Sequence, residues 1–205
     1  MTTPNHREQL LALLARTSFR LGQFNLSSGG TSDYYIDCRT TTLHAEGGRL
    51  TGHAVLELLE ENGVEAEAVG GLTMGADPIV SNVATASAWR ALYQPVQPDP
   101  APALLHGFLV RKAEKGHGTG RRIEGFSKPG ARVVIVDDVC TTGASTINAI
   151  EAAREAGMVL AGVVCIVERE EAHGRTAVEA AAAGAPFFSL FTANQVRAEH
   201  VRQQG

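Results

Sequence analysis

The chain has 205 residues, 44% of them hydrophobic and 20% charged, with a formal net charge of -4. This length supports one core of useful size, with room for a small appended subdomain but not for two full domains. The acidic balance gives no general attraction to nucleic acid or to an anionic membrane, so any positive site has to be local.

Residues 7–16 carry Leu10, Leu11, Leu13 and Leu14 on one helical stripe, which predicts a packing helix without chemistry. From Phe24 to Arg39, a Ser28-Gly29-Gly30 centre flanked by alternating residues predicts a β-hairpin. Residues 46–61 form an amphipathic helix with Leu50, Ala54, Leu58 and Leu59 on one face and Gly63 to stop it. A short strand over 66–69 is expected to lead into a glycine-rich loop over 70–78. There Asp77 suits an N-cap and Pro78 the first helical position. Backbone N–H groups from such a loop suit anions, although a glycine turn before a helix is common. The proline-rich stretch 94–102 reads as a surface connection ahead of a strand over 104–110.

Residues 111–125 set Arg111, Lys112, Lys115, His117, Arg121 and Arg122 among glycines with no apolar periodicity, which predicts a mobile loop. In an otherwise acidic chain, this is the local positive charge a polyanionic substrate needs. The β-branched run after Arg132 reads as a buried parallel strand whose end is marked by Asp137 and Asp138. Val139 and Cys140 lead into the small, hydroxyl-rich turn Thr141, Thr142, Gly143, Ala144, Ser145, and a helix over 144–156 stops at Gly157. The turn can aim successive N–H groups and three hydroxyls at one phosphate on the helix N-terminus. Asp137 and Asp138 cannot hold that phosphate, because like charges repel, so they face sugar hydroxyls or a hydrated cation. A phosphorylated sugar satisfies both halves. A Walker loop would need Lys where Ala144 stands. A response-regulator domain would carry its paired acids near the N-terminus.

A second apolar strand over 159–167 makes the sheet parallel and covered on both faces. It ends in Glu168-Arg169-Glu170-Glu171, placing a planar guanidinium at the ligand edge of the sheet, where it can pair bidentately with a carboxylate. A helix over 176–183, a strand over 187–191 and a short terminal helix follow. Cys38, Cys140 and Cys165 are widely spaced, form no CxxC pair, and read as thiols in a reducing cytoplasm rather than a zinc site. The N-terminus lacks an apolar signal core and no apolar run reaches bilayer length, so a soluble protein is expected.

The two acids followed by Val139-Cys140-Thr141-Thr142-Gly143-Ala144-Ser145 resemble the phosphoribosyl-pyrophosphate (PRPP) loop of type I phosphoribosyltransferases. The order Phe24-x-Leu26-x-Ser28-Gly29, then Ser32-x-Tyr34-Tyr35-x-Asp37, is similar to the base-covering hood of the orotate phosphoribosyltransferase family. The order Arg111-Lys112-x-x-Lys115-x-His117-Gly118 is similar to the same family's flexible catalytic loop. The resemblance implies an α/β type I phosphoribosyltransferase fold, with a mainly parallel central sheet flanked by helices. It implies a single domain over 1–205, with a small N-terminal hood over about 1–40 and a core over about 41–205.

The implied reaction joins orotate and PRPP to give orotidine 5′-monophosphate and pyrophosphate, in de novo pyrimidine (UMP) biosynthesis. Lys112, Lys115, His117, Asp137 and Asp138 would carry catalysis. PRPP would lie on these residues together with Arg111, Val139, Cys140, Thr141, Thr142, Gly143, Ala144 and Ser145. Tyr35, Thr141 and Arg169 would hold orotate. Mg2+ would be held mainly by PRPP and water, without a direct protein ligand. A homodimer is implied in which loop 111–125 reaches the neighbouring active site, with no nucleic-acid or membrane partner. The sequence leaves open whether His117 acts as an acid or only donates a hydrogen bond. It also leaves another nucleobase, or a phosphoribosyltransferase-like RNA- or nucleotide-binding regulator without catalysis, as alternatives. The chain departs from the pattern at Ser27, where a lysine is familiar, and at Thr73-Met74, where Tyr-Lys is familiar.

Overall fold

A computed structural model of the chain describes residues 5–25, 31–93, 104–112 and 122–205. Helix α1 (His6–Thr17) is capped by the Asn5 side chain, which accepts from the Arg7 amide. It buries Leu10, Leu13 and Leu14, as their spacing predicts. Strands β1 (Phe19–Asn25) and β2 (Thr31–Ile36) pair antiparallel, and the expected Ser28-Gly29-Gly30 turn lies outside the described residues. A short α2 (Arg39–Thr42) precedes the amphipathic α3 (Ala45–Glu61), and Gly63 follows α3 with φ +62°.

The remaining elements build one sheet. Strand β3 (Ala68–Leu72) is followed by α4 (Asp77–Tyr93), and β4 (His106–Val110) by the three-residue β5 (Ile123–Gly125). Strand β6 (Arg132–Cys140) leads into α5 (Ala144–Glu155), and β7 (Val159–Glu168) into a 3-10 turn and α6 (Gly174–Ala182). Strand β8 (Phe187–Thr192) and α7 (Ala193–Gln204) close the chain, with a reciprocal capping box between Thr192 and Gln195. Among the described residues, the sheet order is β5-β4-β3-β6-β7-β8, parallel except for β5, which runs antiparallel on the edge of β4. Side chains alternate between two apolar layers. Val134, Val136 and Val164 face α1, α3, α4 and α7, while Val133, Ile135 and Val163 face α5 and α6. Fully burying a leucine such as Leu14 contributes roughly 1.5–3 kcal/mol. This two-sided burial explains why these strands read as continuous β-branched runs. No described helix is long and apolar enough to cross a membrane.

Three boundaries differ from expectation. Gly70 and Gly71 lie inside β3 and not in a loop, because the sheet packs too closely there for a side chain. A Cβ on Gly70 would stand 2.3 Å from the Phe108 ring, and one on Gly71 2.2 Å from the Val136 carbonyl oxygen. The turn between β3 and α4 is therefore shorter than the glycines suggest. Residues 123–125 leave the predicted loop as β5, where Ile123 packs against the apolar layer and pairs with Val110. Strand β6 continues past its acids to Cys140, carried by pairing with β7 up to Cys140 opposite Glu168. The proline-rich stretch, and most of the predicted loop, including Lys115 and His117, lie outside the described residues.

Gly71→Ala forces backbone against backbone, so it should destabilise the fold by about 1–3 kcal/mol. Urea unfolding of the variant beside wild type measures this. An unchanged midpoint would mean that β3 and β6 are not in this close contact.

Candidate active site

The carboxyl ends of β3, β6 and β7 open on a cavity of about 700 Å³. This is the edge at which open parallel sheets bind ligands. Its floor is built by β6 and the turn into α5. Asp137, Asp138, Val139, Thr141 and Ser145 line it, while the hairpin contributes Asn25, Tyr35 and Ile36 from above. Gly143 begins α5 at φ +78°, a conformation favourable to glycine, and a Cβ there would stand 2.5 Å from Val178. The close approach of the Gly174 carbonyl, 3.1 Å from the same point, leaves the turn little freedom to move. Thr142, Ala144 and Ser145 are exposed at the helix N-terminus, where free N–H groups favour an anion.

The two acids occupy different environments. Asp137 is 6% exposed, and Thr146 Oγ1, in the first turn of α5, donates to its Oδ2 at 2.6 Å. Its Oδ1 accepts from the Asp138 amide at 3.0 Å. Burial pushes the Asp137 carboxyl up to about 7, against the Thr146 hydrogen bond, which favours the charged form. Asp138 is half-buried and accepts the Val139 amide at 2.8 Å. Its carboxylate lies against the turn after β3, where a Cβ on Gly75 would meet Oδ1 at 2.6 Å.

Arg169 emerges from the end of β7 into the cavity wall, with 11% of its side chain exposed. Its Nε donates to the Tyr34 hydroxyl at 2.9 Å and to Glu171 at 3.0 Å, and its Nη2 donates to Ser32 at 3.1 Å. The guanidinium also lies 4.5 Å from the centre of the Tyr34 ring. Tyr34 in turn donates to Glu171, and burial pushes its hydroxyl up to about 12. Behind this cluster, Arg175 grips Glu168 with two bonds, at 2.5 and 2.8 Å, and Ser189 donates to the same carboxylate at 3.0 Å. The Arg175 guanidinium holds the Glu168 carboxyl below its ordinary range.

Of the residues predicted from sequence, the cavity brings together Tyr35, Lys112, Asp137, Asp138, Val139, Thr141, Ser145 and Arg169. Cys140 turns its side chain away and is 1% exposed in the layer that also holds Cys165. Arg111 is not among the described residues that line the cavity, and it pairs with Glu124 of the edge strand at 2.8 Å. Lys112 lines the cavity of its own chain. Sequence reasoning missed Ser32, Tyr34 and Glu171 around Arg169. It also missed Arg39, whose Nε and Nη2 donate to the two oxygens of Asp37, each at 2.9 Å. Alternation along β2 puts Tyr35 and Tyr34 on opposite faces, a signal for one inward and one outward tyrosine.

A cavity of similar size, about 710 Å³, lies between α3 and α4, lined by Trp89, Tyr93 and Asn82 among others. It has no carboxylate among its described lining residues. Volume alone therefore does not locate the chemistry.

No protein-family model matches the chain. An orotate phosphoribosyltransferase of Aquifex aeolicus is 40% identical over 193 residues, covering 93% of this chain and 97% of the relative. One of Thermosynechococcus vestitus is 44% identical, covering 94% and 93%. The chain belongs to the orotate phosphoribosyltransferase family. Its fold also superimposes on a crystal structure of Mycobacterium tuberculosis orotate phosphoribosyltransferase in complex with PRPP, with a TM-score of 0.70 and 31% identity, covering 93% of this chain and 98% of that one. The membership makes the chain a pentosyl-transferring enzyme with the type I phosphoribosyltransferase fold.

The raised Asp137 pKa has a stability consequence. Its folded value of about 7 lies above its ordinary 3.8, so the stability it contributes is fully present below the lower value and is lost as pH rises through the higher one. Asp137→Asn cannot ionise, so its stability carries no pH dependence from this position. Between pH 4.5 and 8, wild type should lose stability relative to this variant by about 1 kcal/mol or more. Parallel urea titrations with no relative slope would place Asp137 in an ordinary carboxylate environment.

Proposed function

We propose that this cavity transfers the ribose 5-phosphate group of PRPP to orotate, giving orotidine 5′-monophosphate and pyrophosphate in pyrimidine biosynthesis. The observation that carries this reading is a single cavity lined by the turn at the N-terminus of α5, the half-buried carboxylate of Asp138 and the guanidinium of Arg169. The turn from Thr141 to Ser145 takes the 5′-phosphate, on N–H groups and hydroxyls. Asp138, with Asp137 beneath it, faces the ribose hydroxyls. The base lies under the hairpin against Tyr35, with Thr141 alongside. Arg169, with Nε and Nη2 engaged by the hood and Glu171, has Nη1 to offer the orotate carboxylate.

Breaking the bond between the anomeric carbon and the diphosphate builds positive charge on the sugar and negative charge on the leaving group. Lys112, with Arg111, Lys115 and His117 from the following loop, would neutralise the latter and help exclude water. Mg2+ fits this donor set as an ion carried by the substrate. Asp138, in the cavity wall, would reach a hydrated ion. When bound, the ion would offset charge on the diphosphate.

We further infer a homodimer whose loop serves the neighbouring site from Lys115 onward, while Lys112 serves its own. One domain, with residues 1–40 as hood and 41–205 as core, would carry the whole reaction. The three buried free thiols fit a reducing cytoplasm.

Orotate consumption with PRPP and Mg2+, followed by ultraviolet absorbance, tests the reaction. Wild type should consume orotate and leave uracil and adenine unchanged. Arg169→Ala should lower kcat/KM for orotate by about 10- to 100-fold, the scale of a charge-assisted hydrogen bond. Turnover of another base in place of orotate would overturn the substrate assignment.

Subunit mixing tests the shared loop. Inactive Lys115→Ala and inactive Asp138→Asn proteins, after exchange, should recover up to about a quarter of wild-type activity, because half the dimers then hold one intact site of two. No recovery after proven exchange would mean that each loop serves its own chain.

A further inference from the structure

Resting on the reading of the cavity as a PRPP site, we propose that Arg39 binds the diphosphate of PRPP. The turn after β3 lines the cavity with Thr73, Met74 and Gly75, and Met74, 70% exposed, brings no charge to it. Among the described lining residues, the cations are Arg39, Lys112 and Arg169. Arg169 is held in the hood cluster, away from a role at the leaving group. Arg39 sits differently. It opens α2 directly below the hairpin, and 43% of its side chain is exposed.

Its fork is fixed on Asp37 through Nε and Nη2, and the Asp37 side chain also accepts the Arg39 amide at 3.1 Å. This three-point hold sets the plane of the guanidinium in advance and leaves Nη1 to donate to an anion. An arginine oriented by a carboxylate loses little rotamer freedom on binding phosphate oxygens. Arg39 shares this wall with the turn at Gly75 and with Asp138, on which ribose hydroxyls would lie, so the adjoining group of PRPP is its C1 diphosphate. Arg39 therefore supplies the charge that Met74 does not.

Calorimetric titration of the full chain with Mg2+ present, using PRPP, inorganic pyrophosphate and ribose 5-phosphate as separate probes, distinguishes this from a bracing role. Arg39→Ala should weaken PRPP and pyrophosphate by about tenfold or more. Ribose 5-phosphate should change by less than about twofold. Arg39→Gln keeps a side chain able to donate to Asp37 without the charge, and should show the same selective loss with an unchanged thermal midpoint. Arg39→Lys should restore part of the affinity. Equal weakening of PRPP and ribose 5-phosphate, or no weakening of either, would overturn the assignment and leave Arg39 as a brace between α2 and the hairpin. Wild-type turnover of orotate is measured separately, so failure of the base assignment would leave a selective diphosphate loss readable.

Discussion

One hydrogen bond ties the site together, the Thr146 hydroxyl donating to the buried Asp137 carboxylate. It joins the end of the strand to the first turn of the helix across the eight residues between them. The strand side is fixed by register with β7 as far as Cys140. The helix side is fixed by Gly143 closing against Val178 and Gly174. Between these anchors the backbone from Thr141 to Ser145 is held in place before any ligand arrives. An anion site built this way needs little reorganisation, which is what electrostatic stabilisation of a reacting charge requires.

A second tie connects the floor to the roof. Arg169 belongs to the sheet by sequence and to the hairpin by contact, through Ser32 and Tyr34. Its position depends on the end of β7, which the Glu168–Arg175 pair holds from the other side. The residue proposed to read the base therefore also helps seat the element that covers it. Under that proposal, substrate specificity and hood placement are mechanically coupled, and a mutation that loosens one loosens the other.

The phosphate turn, the paired acids and the helix after them were legible in the sequence because their chemistry is contiguous. Five or six neighbouring residues hold the whole pattern. The alternating strands and amphipathic helices were legible for the same reason, since their periodicity is local. Gly70 and Gly71 misled because glycine in a sequence signals a turn, whereas here it records how closely Phe108 and Val136 approach β3. Strand β5 was missed because three residues carry no period. The cluster around Arg169 was illegible for a different reason. Its partners Tyr34 and Ser32 lie 135 and 137 residues away in the chain, and only folding makes them neighbours. Arg39 had a local signal, an acid two residues before it, but nothing local says that the pair faces a cavity.

The adjacency of Asp137 and Asp138 hides a division of labour. Two like charges on successive residues repel, and the fold relieves this by sending one carboxyl inward, where burial raises its pKa, and leaving the other half-exposed. Asp138 is then the more exposed carboxyl of the pair, and Asp137 acts chiefly through Thr146 on the shape of the turn. The charge balance of the cavity follows from this. With Asp37 engaged by Arg39, and Asp137 partly withdrawn, Asp138 is the half-exposed carboxylate that remains beside Lys112 and the helix N-terminus among the described lining residues. Under the proposed function, a cavity whose described lining includes three aspartates is made receptive to a polyanion partly by where those carboxylates point.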